Sequence, residues 1–201
     1  MKKGKKKNKK ELKETVSTED LISDLGHLRG GVPEGYIELE SYPLNPPFAY
    51  AFIAQSKETA EYLYIADELP LTSKERDAFK RLKNILGYEL KAPEPEETLV
   101  DSFHKQLPEI LKNNQKLLGG VTEIGFKKIG YYLERDMVGY GKIDPFMHDP
   151  HVEDISCTGI NKPIYLWHRK YENIKTTVIF TEHEELDDFV MKIVHRAGKH
   201  V

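Results

Sequence analysis

Apolar and polar positions along this chain repeat with two different periods, and the period changes mark its elements. Between Tyr42 and Pro70, Phe48, Tyr50 and Phe52 alternate with Ala49, Ala51 and Ile53, the pattern of a strand packed on both faces. Pro43, Pro46 and Pro47 open this stretch, and Gln55-Ser56-Lys57-Glu58-Thr59 reads as a polar turn. Tyr62-Leu63-Tyr64-Ile65 then supplies an aromatic and branched return strand, giving an antiparallel pair. A helical period follows: Phe79, Leu82, Ile85 and Leu86 lie on one stripe behind Thr72 and Glu75, which have the spacing of a capping box. That helix is expected to stop at Gly87, and its stripe reads as a core face.

Ala92-Pro93-Glu94-Pro95-Glu96-Glu97 predicts an extended connector, since two prolines spaced by acids resist both helix and sheet. A helix follows from Thr98 through Leu99, Phe103, Leu107, Ile110 and Leu111, with Pro108 expected to kink or divide it. Thr122-Glu123 start another, carrying Ile129, Tyr132, Leu133 and Met137, and Gly139-Tyr140-Gly141 ends it. A helical turn is predicted at 143–147, a strand at 152–157, and two strands at 164–168 and 176–180 around a turn at Lys170 to Asn173. Thr181 and Glu184 repeat the capping-box spacing. Behind them Leu186, Phe189, Val190, Ile193, Val194 and Ala197 keep the three-and-four rule without a miss. The predicted class is therefore α+β in two small subdomains, a strand pair plus helix and then helix-strand-strand-strand-helix. The boundaries are a disordered basic tail over 1–20, an α+β subdomain over 21–92, a linker and helix over 93–121, and a second α+β domain over 122–201. A short helix is also expected from Thr18 through Leu25, broken at Gly30-Gly31.

Charge changes the picture at one end only. Seven lysines fall in the first ten residues, and removing them leaves 23 basic against 33 acidic residues, a body near −10. A basic arm can touch anionic lipid or nucleic acid, but this one lacks apolar residues and a basic surface to continue the contact, so it reads as a solvated tail. No nucleic acid is expected as a partner. No apolar run approaches the roughly 20 residues that span a bilayer, and no signal-peptide order is present, which points to a cytoplasmic protein. The single cysteine, Cys157, excludes an internal disulfide and reads as a small buried core residue rather than a reactive thiol.

Candidate chemistry is sparse. A phosphate-binding loop needs G-x-x-x-x-G-K-[ST], and neither Gly139-Tyr140-Gly141-Lys142-Ile143 nor Gly198-Lys199-His200 provides it, so no catalytic residue is expected here. His148, His151, Glu153 and Asp154 lie close together, but Asp149-Pro150 interrupts any helix that would give the histidine spacing meaning, so no metal is expected. Only six arginines stand among 24 lysines. Arg169 ends a strand beside a turn, and Arg196 closes the last helix. Each has a structural reading, as a strand-end salt bridge and a complement to the helix dipole, and each has a second reading as a bidentate phosphate contact.

The run Ile143-Asp144-Pro145-Phe146-Met147-His148-Asp149-Pro150-His151-Val152-Glu153-Asp154-Ile155-Ser156-Cys157 resembles a segment of the type II/type IV secretion ATPase superfamily. There a similar segment precedes a glycine turn, here Thr158-Gly159-Ile160-Asn161, then a strand like Pro163 to Arg169, a strand ending like Phe180, and a helix ending like Arg196-Ala197-Gly198-Lys199. The likeness covers about 123–199, and Pro46-Pro47-Phe48-Ala49-Tyr50 with the Tyr62-Leu63-Tyr64 strand looks like its archaeal branch. The resemblance implies the N-terminal, non-catalytic part of a cytoplasmic hexameric motor serving type II secretion, a type IV pilus or an archaellum, peripheral to the inner face of the membrane. It implies ATP and Mg²⁺ in the full-length parent. It also implies partners in the ATPase domain of the same chain, neighbouring subunits and a membrane platform protein. Arg169 and Arg196 occupy positions matching arginines that approach the nucleotide phosphates. Val201 falls where the family continues into its linker and ATPase domain, so this chain is expected to bind no nucleotide tightly by itself. A free-standing adaptor of the same fold is the alternative.

Overall fold

Six strands of one sheet and four long helices account for most of residues 30–196, which a computed structural model describes. The lysine-rich tail, the helix expected from Thr18, and Ala197 to Val201 lie outside the described residues. The strands are β1 (Tyr36–Asn45), β2 (Ala49–Ser56), β3 (Tyr62–Glu68), β4 (Val152–Ser156), β5 (Pro163–His168) and β6 (Glu172–Ile179). They run in the order β1-β2-β3-β6-β5-β4, antiparallel at every junction except β3–β6, where Leu63 and Tyr64 lie parallel to Lys175 and Thr176. The strands expected in two subdomains thus belong to a single sheet. Its continuity rests on that one short parallel pairing, which no local pattern announces.

The expected strand pair is β2 and β3, and β1 precedes it as a third strand that the pattern did not announce. Its Glu38, Glu40 and Pro43 suit an edge, where like charge and a missing N–H discourage further pairing, and its Ile37 and Leu39 are exposed. The hairpin β2–β3 has the expected turn. Alternation is read directly by the two sheet faces: Ala51, Ile53 and Tyr64 join Ile164, Leu166 and Ile174 in one core, while Ala54, Leu63 and Ile65 face the other way.

The helices are α1 (Ser73–Glu89), α2 (Leu99–Asn113), α3 (Glu123–Met137), the short α4 (Asp144–Met147) and α5 (His183–Arg196). The Thr72–Glu75 capping box is formed in both directions. Helix α1 runs two residues past Gly87. Pro108 does not divide α2, because it and His104, whose carbonyl it frees, lie on the exposed side where water replaces the lost bond. Leu82, Leu86, Phe103, Ile110, Ile129 and Leu133 pack α1, α2 and α3 into a second core. Gly125 permits this packing: a Cβ there would stand 2.4 Å from Glu75 Oε1.

Helix α3 is anchored on the end of β3. Tyr131 donates to Glu68 Oε1 at 2.5 Å, Arg135 pairs with Glu68 Oε2 at 2.6 Å, and Tyr132 donates to the Leu69 carbonyl at 2.9 Å. Helix α5 is different. Leu186 and Phe189 pack partly buried against the first core, but no residue of this helix is fully buried, and Val190 and Met191 are exposed. Cys157, expected in the core, is exposed, because β4 ends at Ser156 and the chain turns away from the sheet. No helix among the described residues is long and apolar enough to cross a membrane.

Candidate functional site

Of the two arginines singled out from sequence, Arg196 lines a groove and Arg169 does not. Strand β4 is outermost in its half of the sheet, and α5 runs beside it, leaving an open cavity of about 720 Å³. Ile143 just before α4, Phe146 on α4 and Val152 on β4 form part of its lining, and Phe189, Val190 and Ile193 line it from α5. Arg196 and Glu153 also line it.

Arg169 reaches the groove only through Glu153, to which its Nε donates at 3.2 Å. Both side chains are largely exposed, so this is the strand-end salt bridge that the sequence allows, and it exchanges readily with water. Arg196 is turned inward. Its guanidinium donates to the Val138 carbonyl at the C-terminal end of α3 and lies 4.2 Å from the Tyr140 ring centroid. The cation therefore complements a helix C-terminus, that of α3 rather than of its own helix.

Beneath the groove lies a polar network that sequence reasoning missed. Asp149, also on the groove wall and only 4% exposed, accepts from Tyr42 Oη at 2.7 Å, Tyr64 Oη at 2.6 Å and the His151 backbone N–H at 2.8 Å. The Lys170 N–H donates to His168 Nδ1 at 3.2 Å, which leaves the ring proton on Nε2, facing Tyr42 Oη at 3.3 Å. Burial and the neighbouring carboxylate push both phenols far above their ordinary range, so both stay protonated and donate to Asp149, while Tyr42 Oη also accepts from His168 Nε2–H. The signal in the sequence was the Asp149-Pro150 turn between two histidines. His148 Nδ1 instead meets the Asp144 carbonyl at 2.9 Å, and His151 packs edge-on against Tyr42. Among the described residues no group of three or more His, Cys, Asp or Glu side chains is placed to hold a metal ion.

Burial lowers the pKa of His168, and His151 and Lys170 lower it further against the opposing pull of Asp149 and Glu40. The unfolded chain takes up a proton near pH 6.5, whereas the folded chain does so only at lower pH. Stability conferred by the neutral ring is thus complete above about pH 6.5 and declines as pH falls through the window below it. Urea titrations at pH 7.5 and 5.5 are expected to show a smaller pH difference for His168→Gln than for the unmodified chain. An equal difference would remove His168 as the titrating group.

No family model matches the chain. It is similar to the uncharacterized protein MJ1288 of Methanocaldococcus jannaschii, 40% identical over 139 residues, a match covering 68% of this chain and 54% of that protein. It is also similar to the uncharacterized protein MJ0900 of the same organism, 25% identical over 179 residues, covering 80% of this chain and 32% of that protein. The chain spans about half the length of the first relative and about a third of the second.

Proposed function

We propose that this chain is the non-catalytic N-terminal part of a hexameric archaeal motor ATPase that serves secretion, a pilus or an archaellum. In that reading it covers the nucleotide held by a downstream ATPase domain and passes ATP-driven motion to a membrane platform protein. It works in the cytoplasm at the inner face of the membrane. ATP and Mg²⁺ belong to the full-length parent. The segment 122–196 carries the unit that meets the ATPase domain, and β1 to β3 extend its sheet as an added subdomain. The observation that supports this most is Arg196 at the end of α5 lining one open groove, with Arg169, just past β5, linked to that groove through Glu153. Arginines in such positions stabilise phosphate charge as it develops when a second domain closes over them.

Arg169→Ala and Arg196→Ala in the full-length parent test this. Turnover is expected to fall on the order of 10-fold or more in each variant. Because the Arg169 pair is exposed, Arg169→Ala is expected to cost at most about 1 kcal/mol of stability. Unchanged turnover in both would assign the two side chains to the Glu153 salt bridge and the Val138 carbonyl alone. The open face of α5 favours a second reading, a free-standing adaptor of the same fold. A phosphate loop encoded downstream of Val201 supports the motor, and a stop codon there supports the adaptor.

A further inference from the structure

Three features of the β4–α5 groove point to what fills it, and none depends on the motor reading. Its walls are apolar on both sides, and Met147 and Val190 stand there 46% exposed. One wall is a sheet edge, because among the described residues β4 pairs with β5 on one side and with no strand on the other. The free charge is acidic: Asp154 is exposed on β4 and makes no salt bridge among the described residues, whereas the exposed Glu153 is paired with Arg169. The lining cation, Arg196, is already directed to the Val138 carbonyl.

We propose that this groove docks an extended partner segment whose side chains alternate between apolar and basic, laid along β4 with its apolar face against α5. Side chains on a strand point alternately to opposite faces, so such a segment sends one set into the groove while a basic side chain of the other meets Asp154. The cavity, about 720 Å³, falls within the range of side-chain and ligand pockets. A shift of register between Val152 and Asp154 confines the regular edge to Asp154–Ser156, so the backbone ladder is short and apolar insertion with charge pairing supplies most of the affinity. A second copy of the chain is a poor occupant. Two β4 edges side by side would bring Glu153 and Asp154 close to the same acids of the other copy, and like charges facing each other across a ladder repel.

Cys157 makes the test direct, because it is the chain's single cysteine, lies on the groove wall and is exposed. Three fluorescein-labelled nine-residue peptides are titrated against the full chain by anisotropy: one alternating lysine and valine, one alternating glutamate and valine, one alternating lysine and serine. The lysine–valine peptide is expected to bind one to one with Kd on the order of 10–100 µM. It is also expected to slow alkylation of Cys157 at least several-fold, while the other two bind about tenfold more weakly or not at all. Val190→Glu, at an exposed position, is expected to weaken the lysine–valine peptide about tenfold, and Asp154→Lys to shift preference toward the glutamate–valine peptide. No saturable binding overturns the proposal. So does binding that leaves Cys157 alkylation unchanged and is indifferent to both substitutions, which would be attraction to the acidic surface at large. Protection of Cys157 by raised protein concentration alone, with a dimer in sedimentation, would instead assign the groove to a second copy.

Discussion

Lys128→Met is expected to lower the unfolding free energy by about 3–5 kcal/mol, because it leaves a buried carboxylate without its counter-ion. Lys128 on α3 and Glu75 on α1 meet at 2.6 Å with side chains 4% and 7% exposed. Lys128 also donates to the Pro70 carbonyl at 3.0 Å, and Glu75 Oε2 accepts from the Thr72 N–H at 2.8 Å. Burial alone would raise the Glu75 pKa, but the Lys128 ammonium and the Thr72 N–H outweigh it and hold the carboxyl below its ordinary value. The unfolded chain therefore binds a proton at Glu75 before the folded chain does. The stability from this pair is present above about pH 4.3 and is lost as pH falls below it. Methionine keeps the length of the lysine stem, so the lost charge rather than lost volume decides the outcome. Adding Glu75→Gln removes the stranded charge while keeping an acceptor for the Thr72 N–H, and this pair of substitutions is expected to recover more than half of the loss. Urea unfolding of the two single variants and the double variant measures the coupling. A cost under about 1 kcal/mol for Lys128→Met would mean that water reaches Glu75, and the account of α1–α3 packing would fail.

Asp149→Ala is expected to cost a similar amount, about 3–5 kcal/mol, from a different source. One carboxylate accepts from β1 through Tyr42, from β3 through Tyr64, and from the turn before β4 through the His151 N–H. Removing it leaves the buried Tyr64 hydroxyl and the half-buried Tyr42 hydroxyl without their acceptor and opens a void beside Phe146. Tyr64→Phe in the Asp149→Ala background is expected to restore part of the loss, because it deletes the stranded hydroxyl, whereas in the unmodified chain it costs about 1–2 kcal/mol. Additive effects of the two substitutions would show that they act independently and would sink the network. Asp149 also lies on the groove wall, so the Asp149→Ala loss is expected to come with faster alkylation of Cys157.

Much of the fold was legible along the chain because the interactions that set it are local. The capping pair Thr72–Glu75 spans three residues, and the α2 and α3 caps at Thr98 and Thr122 bond N–H groups three residues on. The alternation through β2 and the polar turn before β3 needed no partner to be read, since a pleated strand separates its two faces every second residue. Where local patterns compete with position, reading stopped. Gly87 carries the signature of a helix stop, yet α1 continues to Glu89. Strand β1 mixes acids, a proline and apolar residues, because an edge strand has no second neighbour to demand regularity.

The candidate site divides along the same line. Arg169 and Arg196 were named from chain order and their element-end positions, and those positions are where the structure has them. Their partners, Glu153 and the Val138 carbonyl, were not, because contact across 16 and 58 residues depends on how elements pack. The Asp149 network joins residues 85 and 107 apart, and the Glu75–Lys128 pair joins two helices separated by a third. Cys157 looked like a core residue by type and proved exposed, since its strand ends one residue before it. Periodicity, caps and turns thus specify which elements form, because their energies depend on neighbours within about four residues. The parallel seam between β3 and β6, the buried charges, and the open face of α5 arise only when distant segments exclude water together.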